Sequence, residues 1–355
     1  MRERRIARGR MLAALGLALA LAWSSTAPPA PQPAVAAEPA PAQELVPVRV
    51  GMQYIISDAA LLVAWDRGYM REVGIDFQGQ RVDNLDLQSG IASGQLDVGG
   101  IGVTAATLNA FLRGVRLKIV GDRATLAPGH GYIALVVRKD LVDSGQVRSL
   151  ADLRGRRIAQ QPPLHATTSW YLLDRLLARA GVSESEVEYV GLGFADQNAG
   201  LIGGSIDAAM QTEPSVTAAA ESGLAVRLAG ADEVASFSLG GLAYSESFAA
   251  QTDLGRRFML AYLRAVRAYL DAFTRDSGRA EIVGVLTRHT PVKDAALYDR
   301  MVMPYINPNG RFTYEGYDAV QDYFIRHGVQ PGRVDMSQMV DNAFADWAAE
   351  QLGPY

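Results

Sequence analysis

The chain predicts an α/β protein of two lobes facing each other across a cleft, each lobe a mainly parallel sheet flanked by helices. Three observations carry that prediction. Strands and amphipathic helices alternate from Val46 to about Leu228, the pattern of parallel sheets covered on both faces. One order of elements occurs twice, first from Val48 through Ser57-Asp58 and Gly90-Ile91-Ala92-Ser93-Gly94-Gln95-Leu96-Asp97 to Val98, then from Arg157 through Thr167-Thr168-Ser169 and Gly200-Leu201-Ile202-Gly203-Gly204-Ser205-Ile206-Asp207 to Ala208. Finally, the part beyond the N-terminal segment is about 310 residues long, more than one core usually serves.

Val46 to Met52 alternates apolar and polar residues and reads as a strand. Gln53 to Asp58 is a loop whose Ser57 or Asp58 can cap the next helix. Leu61, Leu62, Trp65, Tyr69 and Val73 share one face of that helix, which stops at Gly74. A strand Ile75 to Gln80, a helix Leu85 to Ala92, a buried strand Leu96 to Ile101, a helix Thr104 to Leu112 and a strand Arg116 to Val120 complete this half. The apolar run Tyr132 to Val137 is a long strand placed to cross between lobes. After it come a short capped helix at Ser149 to Leu153, a strand Arg156 to Ala159, and a helix with the stripe Leu172, Leu173, Leu176, Leu177 and Ala180, ended by Gly181. Glu186 to Val190, Ala208 to Gln211 and Val226 to Leu228 are further strands, and Ser236 to Tyr244 crosses back. Thereafter the chain is largely helical, with Phe258, Tyr262, Val266, Tyr269 and Phe273 on one stripe. Arg256, Arg257, Arg264 and Arg267 on the same helix read as a solvated face. The expected organisation is a first lobe built from 46–135 and 233–355 and a second from 136–232.

Five arginines before an apolar run from Met11 to Trp23, then Ala34-Val35-Ala36, have the layout of a secretory signal peptide cleaved near Ala36. Thirteen helical residues span only about 20 Å, short of the roughly 30 Å of a bilayer core. Residues 37–45 read as a disordered leader. With no cysteine in the sequence, a lipid anchor on an N-terminal Cys, disulfides and thiolate metal sites are excluded. Removing residues 1–36 takes five arginines and one glutamate from totals of 34 basic and 38 acidic residues, leaving 29 and 37, a net charge of −8. That balance disfavours a nucleic-acid partner. The mature chain is expected free in the periplasm.

At this point the ordered motifs resemble a known family, the substrate-binding proteins of ABC importers for nitrate, sulfonates, taurine and thiamine-pyrimidine precursors. The matching text is Gly51-Met52-Gln53-Tyr54, Ala64-Trp65-Asp66-Arg67-Gly68-Tyr69, Ala92 to Gly99, Ser149 to Gly155, and Ile206-Asp207-Ala208 before Glu213-Pro214. The resemblance covers about Val46 to Leu228. It implies a type II periplasmic binding fold that holds a small molecule between its lobes and presents the closed form to a membrane permease.

Loops at the carboxyl ends of the strands independently point to that cleft, because an open α/β sheet binds ligands there. Gln53, Tyr54, Ser57 and Asp58 follow the first strand and offer an aromatic wall with hydrogen-bonding groups. Gly100, Gly102 and Thr104 follow another, where glycines let a ligand approach the backbone, and Asp122-Arg123 follow Val120. Ser57 and Thr104 read equally as helix caps, and the glycines as a turn. In the second lobe, Thr167, Thr168 and the free N–H groups of the helix before Trp170 suit a carboxylate, sulfonate or phosphate; in the family this helix start faces the ligand. His165 just before it is a candidate contact or a structural hydrogen-bonder. Pro162-Pro163 and His165 depart from the small or Gly-rich stretch usual in sulfonate binders. Phe194 and Asp196 occupy the next loop, with Asp196 read equally as a cap, and Thr212 and Glu213 another, where Glu213 before Pro214 either orients the turn or accepts from an amine or ring N–H.

Gly100-Ile101-Gly102-Val103-Thr104-Ala105, with Asp122 beyond it, mimics a dinucleotide fingerprint, so a dinucleotide enzyme is one alternative. The fungal thiamine-pyrimidine synthases share the family fold but use a Cys-rich stretch that this chain lacks. No G-x-S-x-G, H-E-x-x-H or S-x-x-K occurs, and His130, His165, His289 and His327 show no metal-ligand spacing. The expectation is a monomeric, non-enzymatic solute-binding protein without metal or cofactor, its partners a small anionic or heteroaromatic ligand and an ABC permease. Docking on a signalling receptor is the alternative to transport.

Overall fold

The computed structural model describes residues 44–355; the expected signal peptide and nearly all of the leader lie outside the described residues. Ten strands follow in chain order: β1 (Val46–Met52), β2 (Ile75–Arg81), β3 (Val98–Gly102), β4 (Lys118–Thr125), β5 (Ile133–Arg138), β6 (Arg157–Gln160), β7 (Glu188–Gly191), β8 (Ala208–Thr212), β9 (Ala225–Gly230) and β10 (Ser238–Tyr244). They make two five-stranded sheets, ordered β2-β1-β3-β10-β4 and β7-β6-β8-β5-β9. In the first, β1 pairs in parallel with β2 and β3 while β10 runs antiparallel between β3 and β4. In the second, β6 pairs in parallel with β7 and β8 while β5 runs antiparallel between β8 and β9. The two sheets thus repeat one pattern, with β1 matching β6, β3 matching β8 and β10 matching β5.

The repeated Gly-x-[Leu/Ile]-Asp motif acts alike in both sheets. Asp97 accepts the Arg49 backbone N–H at 2.8 Å and its guanidinium at 2.6 Å. Asp207 accepts the Arg157 backbone N–H at 2.9 Å and lies 3.4 Å from its guanidinium. The return bonds match too, Asp97 N to Arg49 O at 2.9 Å and Asp207 N to Arg157 O at 2.8 Å. Each aspartate therefore fastens the incoming strand to its neighbour before the ladder begins, satisfying strand-end groups that would otherwise need water.

Several elements differ from expectation for identifiable reasons. The apolar run that contains β5 does not itself cross between lobes; it is a central strand whose residues Ala134 to Val137 are fully buried, which explains why both of its faces are apolar. The chain passes between sheets at 126–132 and 231–237, joined where Leu126 N donates to Phe237 O at 3.1 Å. The helix predicted to run to Gly74 breaks at Gly68, whose φ of +75° ends the helix Ala59–Asp66 before a separate turn at Tyr69–Glu72. The strand predicted to end at Val120 continues to Thr125, which puts Asp122 and Arg123 inside the sheet and not in a loop.

The long helix Thr252–Thr274 buries Phe258, Tyr262, Val266 and Tyr269 against the first sheet's core, each such side chain contributing about 1.5–3 kcal/mol. Its arginines are less free than a solvated face implies. Arg264 pairs with Glu72 at 2.6 Å, Arg257 donates to Val73 O at 2.8 Å, and Arg267 donates to Pro308 O at 3.1 Å. The helix Tyr317–Arg326 does not serve the first sheet alone, since Tyr323 packs edge-on to Tyr171 of the helix Thr168–Arg179.

Candidate functional site

A cavity of about 580 Å³ lies between the sheets, at the carboxyl ends of β1, β3, β6 and β8 and beside the crossing segments. Of the residues expected at the site, it brings together Gln53, Ser57, Gly102, Thr104, Arg123, Thr167, Thr168 and Glu213. Apolar surface comes from Ile56, Phe194, Leu239 and Val292, among others. The cavity has the size and the mixed lining of a small-molecule site.

Arg123 is the cavity's buried cation, 4% exposed. It lies across β3 and β10, where a Cβ on Gly100 would stand 2.8 Å from its Cδ and one on Gly240 3.3 Å from its Nε. Gly100 thus makes room for Arg123 itself, and not primarily for a ligand. Asp58, fully buried, accepts Arg123 Nη1 at 2.5 Å. Its other oxygen accepts the N–H groups of Gln53 and Ile55 at 3.1 and 3.2 Å. Asp58 does not cap the helix that follows it; its carboxylate shapes the loop after β1 and orients the guanidinium. Arg123 Nε is buried and has no hydrogen-bonding partner among the described residues.

The start of the helix Thr168–Arg179 forms part of the opposite wall. Thr167 occupies its N-cap position without a side-chain cap bond, and its buried Oγ1 has no partner among the described residues. Thr168 Oγ1 donates to Val103 O at 2.9 Å, and Ala105 N donates to Ala166 O at 3.0 Å. Two hydrogen bonds therefore span the cleft beside the cavity. Thr104 caps the helix Ala105–Leu112 through Thr107 N at 3.4 Å. Gln211 Nε2 donates to Asn198 at 2.8 Å, leaving its buried Oε1 without a partner.

Glu213 is 2% exposed, and burial raises its pKa above the usual carboxylate range against the pull of its hydrogen bonds. Oε1 accepts from Thr217 Oγ1 at 3.0 Å and Val302 N at 3.2 Å, and Oε2 accepts from Thr217 N at 3.1 Å. Its oxygens hold the second lobe to the C-terminal region more than they wait for a ligand amine.

Besides Asp58, which sits behind Arg123 and outside the lining, two more expected contacts lie elsewhere. Tyr54 takes a left-handed backbone, φ +60°, and its hydroxyl stands 3.1 Å from where a Gly79 Cβ would be, so it covers β2 and is not among the cavity's lining residues. Aromatic surface comes instead from Phe194 and Tyr132. His165 stacks on His327 with ring centres 3.9 Å apart and bonds Tyr323 Oη at 2.6 Å, again outside the lining. Phe194 and Asp196 begin the helix Phe194–Gly203 and are not in a loop.

Gln161, Gln211 and the segment Thr290 to Val292 were not singled out by sequence. Gln211 is the penultimate residue of β8, beside Thr212 and Glu213, so the same strand-end rule could have found it. Thr290 to Val292 reaches the cavity only through the fold of the C-terminal helices, and no local pattern announces it.

The arrangement is that of two α/β lobes with a cavity between their sheets. The chain belongs to the family described as NMT1/THI5 like, whose model matches residues 56–272. A search of curated protein sequences gave no significant match. Among solved structures, it is similar to the alkanesulfonate-binding protein SsuA from Xanthomonas axonopodis pv. citri bound to MOPS, with 23% identity, TM-score 0.64, and coverage of 86% of this chain and 99% of that one. The periplasmic aliphatic sulphonate-binding protein SsuA from Escherichia coli is similar at 21% identity and TM-score 0.66, with 83% and 92% covered. The desulfurization enzyme DszB also matches, at 15% identity and TM-score 0.62, with 86% and 100% covered. At these identities the likeness is one of fold.

Proposed function

We propose that this chain is an extracytoplasmic solute-binding protein that closes on a small organic ligand and delivers it to an ABC importer. Family membership and fold support that reading, and one observation carries it. Of the nine buried side-chain polar atoms that find no partner among the described residues, three, Arg123 Nε, Thr167 Oγ1 and Gln211 Oε1, belong to residues lining one cavity. Leaving such groups unmatched costs about 1–3 kcal/mol each, so a ligand that matches them gains that much in binding.

The ligand so described has an acceptor for the Arg123 N–H, a donor for Gln211, and an apolar middle against Phe194 and Leu239. Asp58 already neutralises Arg123, and no second cation lines the cavity among the described residues. The site therefore suits a monoanion or a polar heteroaromatic ring better than a multiply charged anion. Dinucleotide binding is disfavoured, because Asp122 is fully buried inside the sheet, where its Oδ2 accepts Asn307 N at 2.7 Å and Thr125 Oγ1 at 2.8 Å, and is out of a ribose's reach.

A thermal-shift screen of alkyl and aryl sulfonates, aromatic carboxylates, nitrate and pyrimidines tests this, since a ligand of the folded state alone raises the melting temperature by mass action. We expect one class to stabilise the protein, and Thr167→Val to weaken its binding about tenfold while leaving the ligand-free melting temperature nearly unchanged. Failure of every class, or undiminished binding by Thr167→Val, would refute the assignment of the cavity.

A further inference from the structure

Three side chains that the sequence keeps far apart meet outside the cavity. His165 lies in the loop before the helix Thr168–Arg179, Glu184 opens the turn Glu184–Glu186, and His327 follows the helix Tyr317–Arg326. One ligating atom from each lies within 4.8 Å of the others. His327 Nε2 is 3.1 Å from Glu184 Oε2, and His165 Nδ1 is 4.0 Å from Glu184 Oε1.

We propose that these residues form a site for a divalent transition-metal ion of the zinc type, contrary to the expectation from sequence that the chain has none. Two imidazole nitrogens and one carboxylate oxygen are a donor set that zinc and its borderline neighbours take, and that magnesium and calcium do not favour. All three side chains are largely shielded, 16% to 22% exposed. His327 Nε2 is buried without a properly directed hydrogen bond, despite its closeness to Glu184. His165 is held at φ +56°, a conformation that costs a non-glycine residue energy and here keeps its ring at the cluster. The neighbouring cation, Arg326, is drawn aside by Asp174 at 3.4 Å.

Around a tetrahedral zinc, ligand atoms about 2.0–2.2 Å from the ion stand roughly 3.3 Å from one another. The cluster must therefore tighten, and the stacked rings, 13° apart in plane, must splay so that both lone pairs meet one ion. The Tyr323 hydroxyl, 2.6 Å from His165 Nδ1 and 3.1 Å from Glu184 Oε1, gives way in that step. A bound ion would tie the loop that supplies Gln161 and Thr167 to the cavity directly to the C-terminal helix.

Calorimetric titration of the chelator-treated protein with zinc chloride, with cobalt(II) absorption as a second probe, tests the site. One ion per chain is expected, raising the melting temperature. Binding should fall at least about tenfold in His327→Ala and in His165→Ala, with His327→Gln as the variant that keeps a polar group of similar reach if the alanine form folds poorly. His289→Ala, at the separate His289–Asp66 pair, should bind as the parent does. Absence of zinc binding, or binding unchanged by the His327 and His165 substitutions, overturns the proposal.

Discussion

Arg123 shows how a charged residue can be retained inside a protein interior. Its cost is met by Asp58 at 2.5 Å, and removing the carboxylate would strand a buried cation at about 3–5 kcal/mol. One residue before it, Asp122 faces the other way and has no cation against it among the described residues. Burial pushes its carboxyl up to about 6, with the hydrogen bonds from Asn307, Thr125 and Ser238 pulling in the opposite direction. An unfolded aspartate titrates near 3.9, so between those values the folded chain holds a proton that the unfolded chain has lost. The stability contributed by this group is full below about pH 4 and declines as pH rises through about 6. Asp122→Asn removes that titration and keeps an acceptor for Asn307 N. Melting curves should show the parent's advantage over Asp122→Asn shrinking from pH 4.5 to pH 7.5; a gap that stays constant with pH would contradict the burial argument. Sequence could name Asp122 and Arg123 but not separate their roles, since in a strand successive side chains point to opposite faces and the strand's true end was not visible.

At the scale of elements, the twin aspartates make the repeat physical. Arg49 and Arg157 are partly exposed, 42% and 36%, so their ion pairs are screened and contribute little. The larger share lies in the strand N–H groups that Asp97 and Asp207 satisfy. Asp97→Ala and Asp207→Ala should therefore each destabilise the protein by about 1–3 kcal/mol and to a similar degree. Thermal unfolding in high salt should leave both losses in place. A large effect at one site with none at the other would mean that the two halves are alike in text alone. Elements of this kind were the legible ones. The Gly-x-[Leu/Ile]-Asp ends, the helix Thr252–Thr274 and its buried stripe follow from local spacing. The fate of β5 and the arginines of that helix did not, because an apolar run or a charged face looks the same in sequence whichever neighbour covers it. The lining by Thr290 to Val292 and the meeting of His165 with His327 depend on where the C-terminal helices dock, and no local period encodes that.

Across the whole molecule, the lobes are held by the cluster of Tyr323 with His165 and Glu184, by the Arg300–Glu221 and Arg326–Asp174 pairs, and by bonds beside the cavity. Thr168 Oγ1 to Val103 O and Ala105 N to Ala166 O span the cleft, and Val302 N to Glu213 Oε1 ties the C-terminal region to the second lobe. Hinge motion about the crossing segments 126–132 and 231–237 would have to break the first two. Thr168→Val keeps the shape of the side chain and removes the hydroxyl donor. A net bond of about 1 kcal/mol corresponds to roughly a fivefold shift in the closed-to-open ratio, and ligand affinity tied to closure falls with the closed fraction, by at most about that factor. The absence of cysteine makes this measurable without background labelling. Dyes on Leu112→Cys and Ile202→Cys, both exposed positions, one on a helix that follows β3 and the other on the helix before β8, report the distance between lobes by energy transfer. The Thr168→Val form should show a longer mean distance without ligand, and a stabilising compound should shorten it. If the distance is the same in both forms and insensitive to the compound, the lobes are a rigid pair and capture in the cavity must proceed without hinge closure.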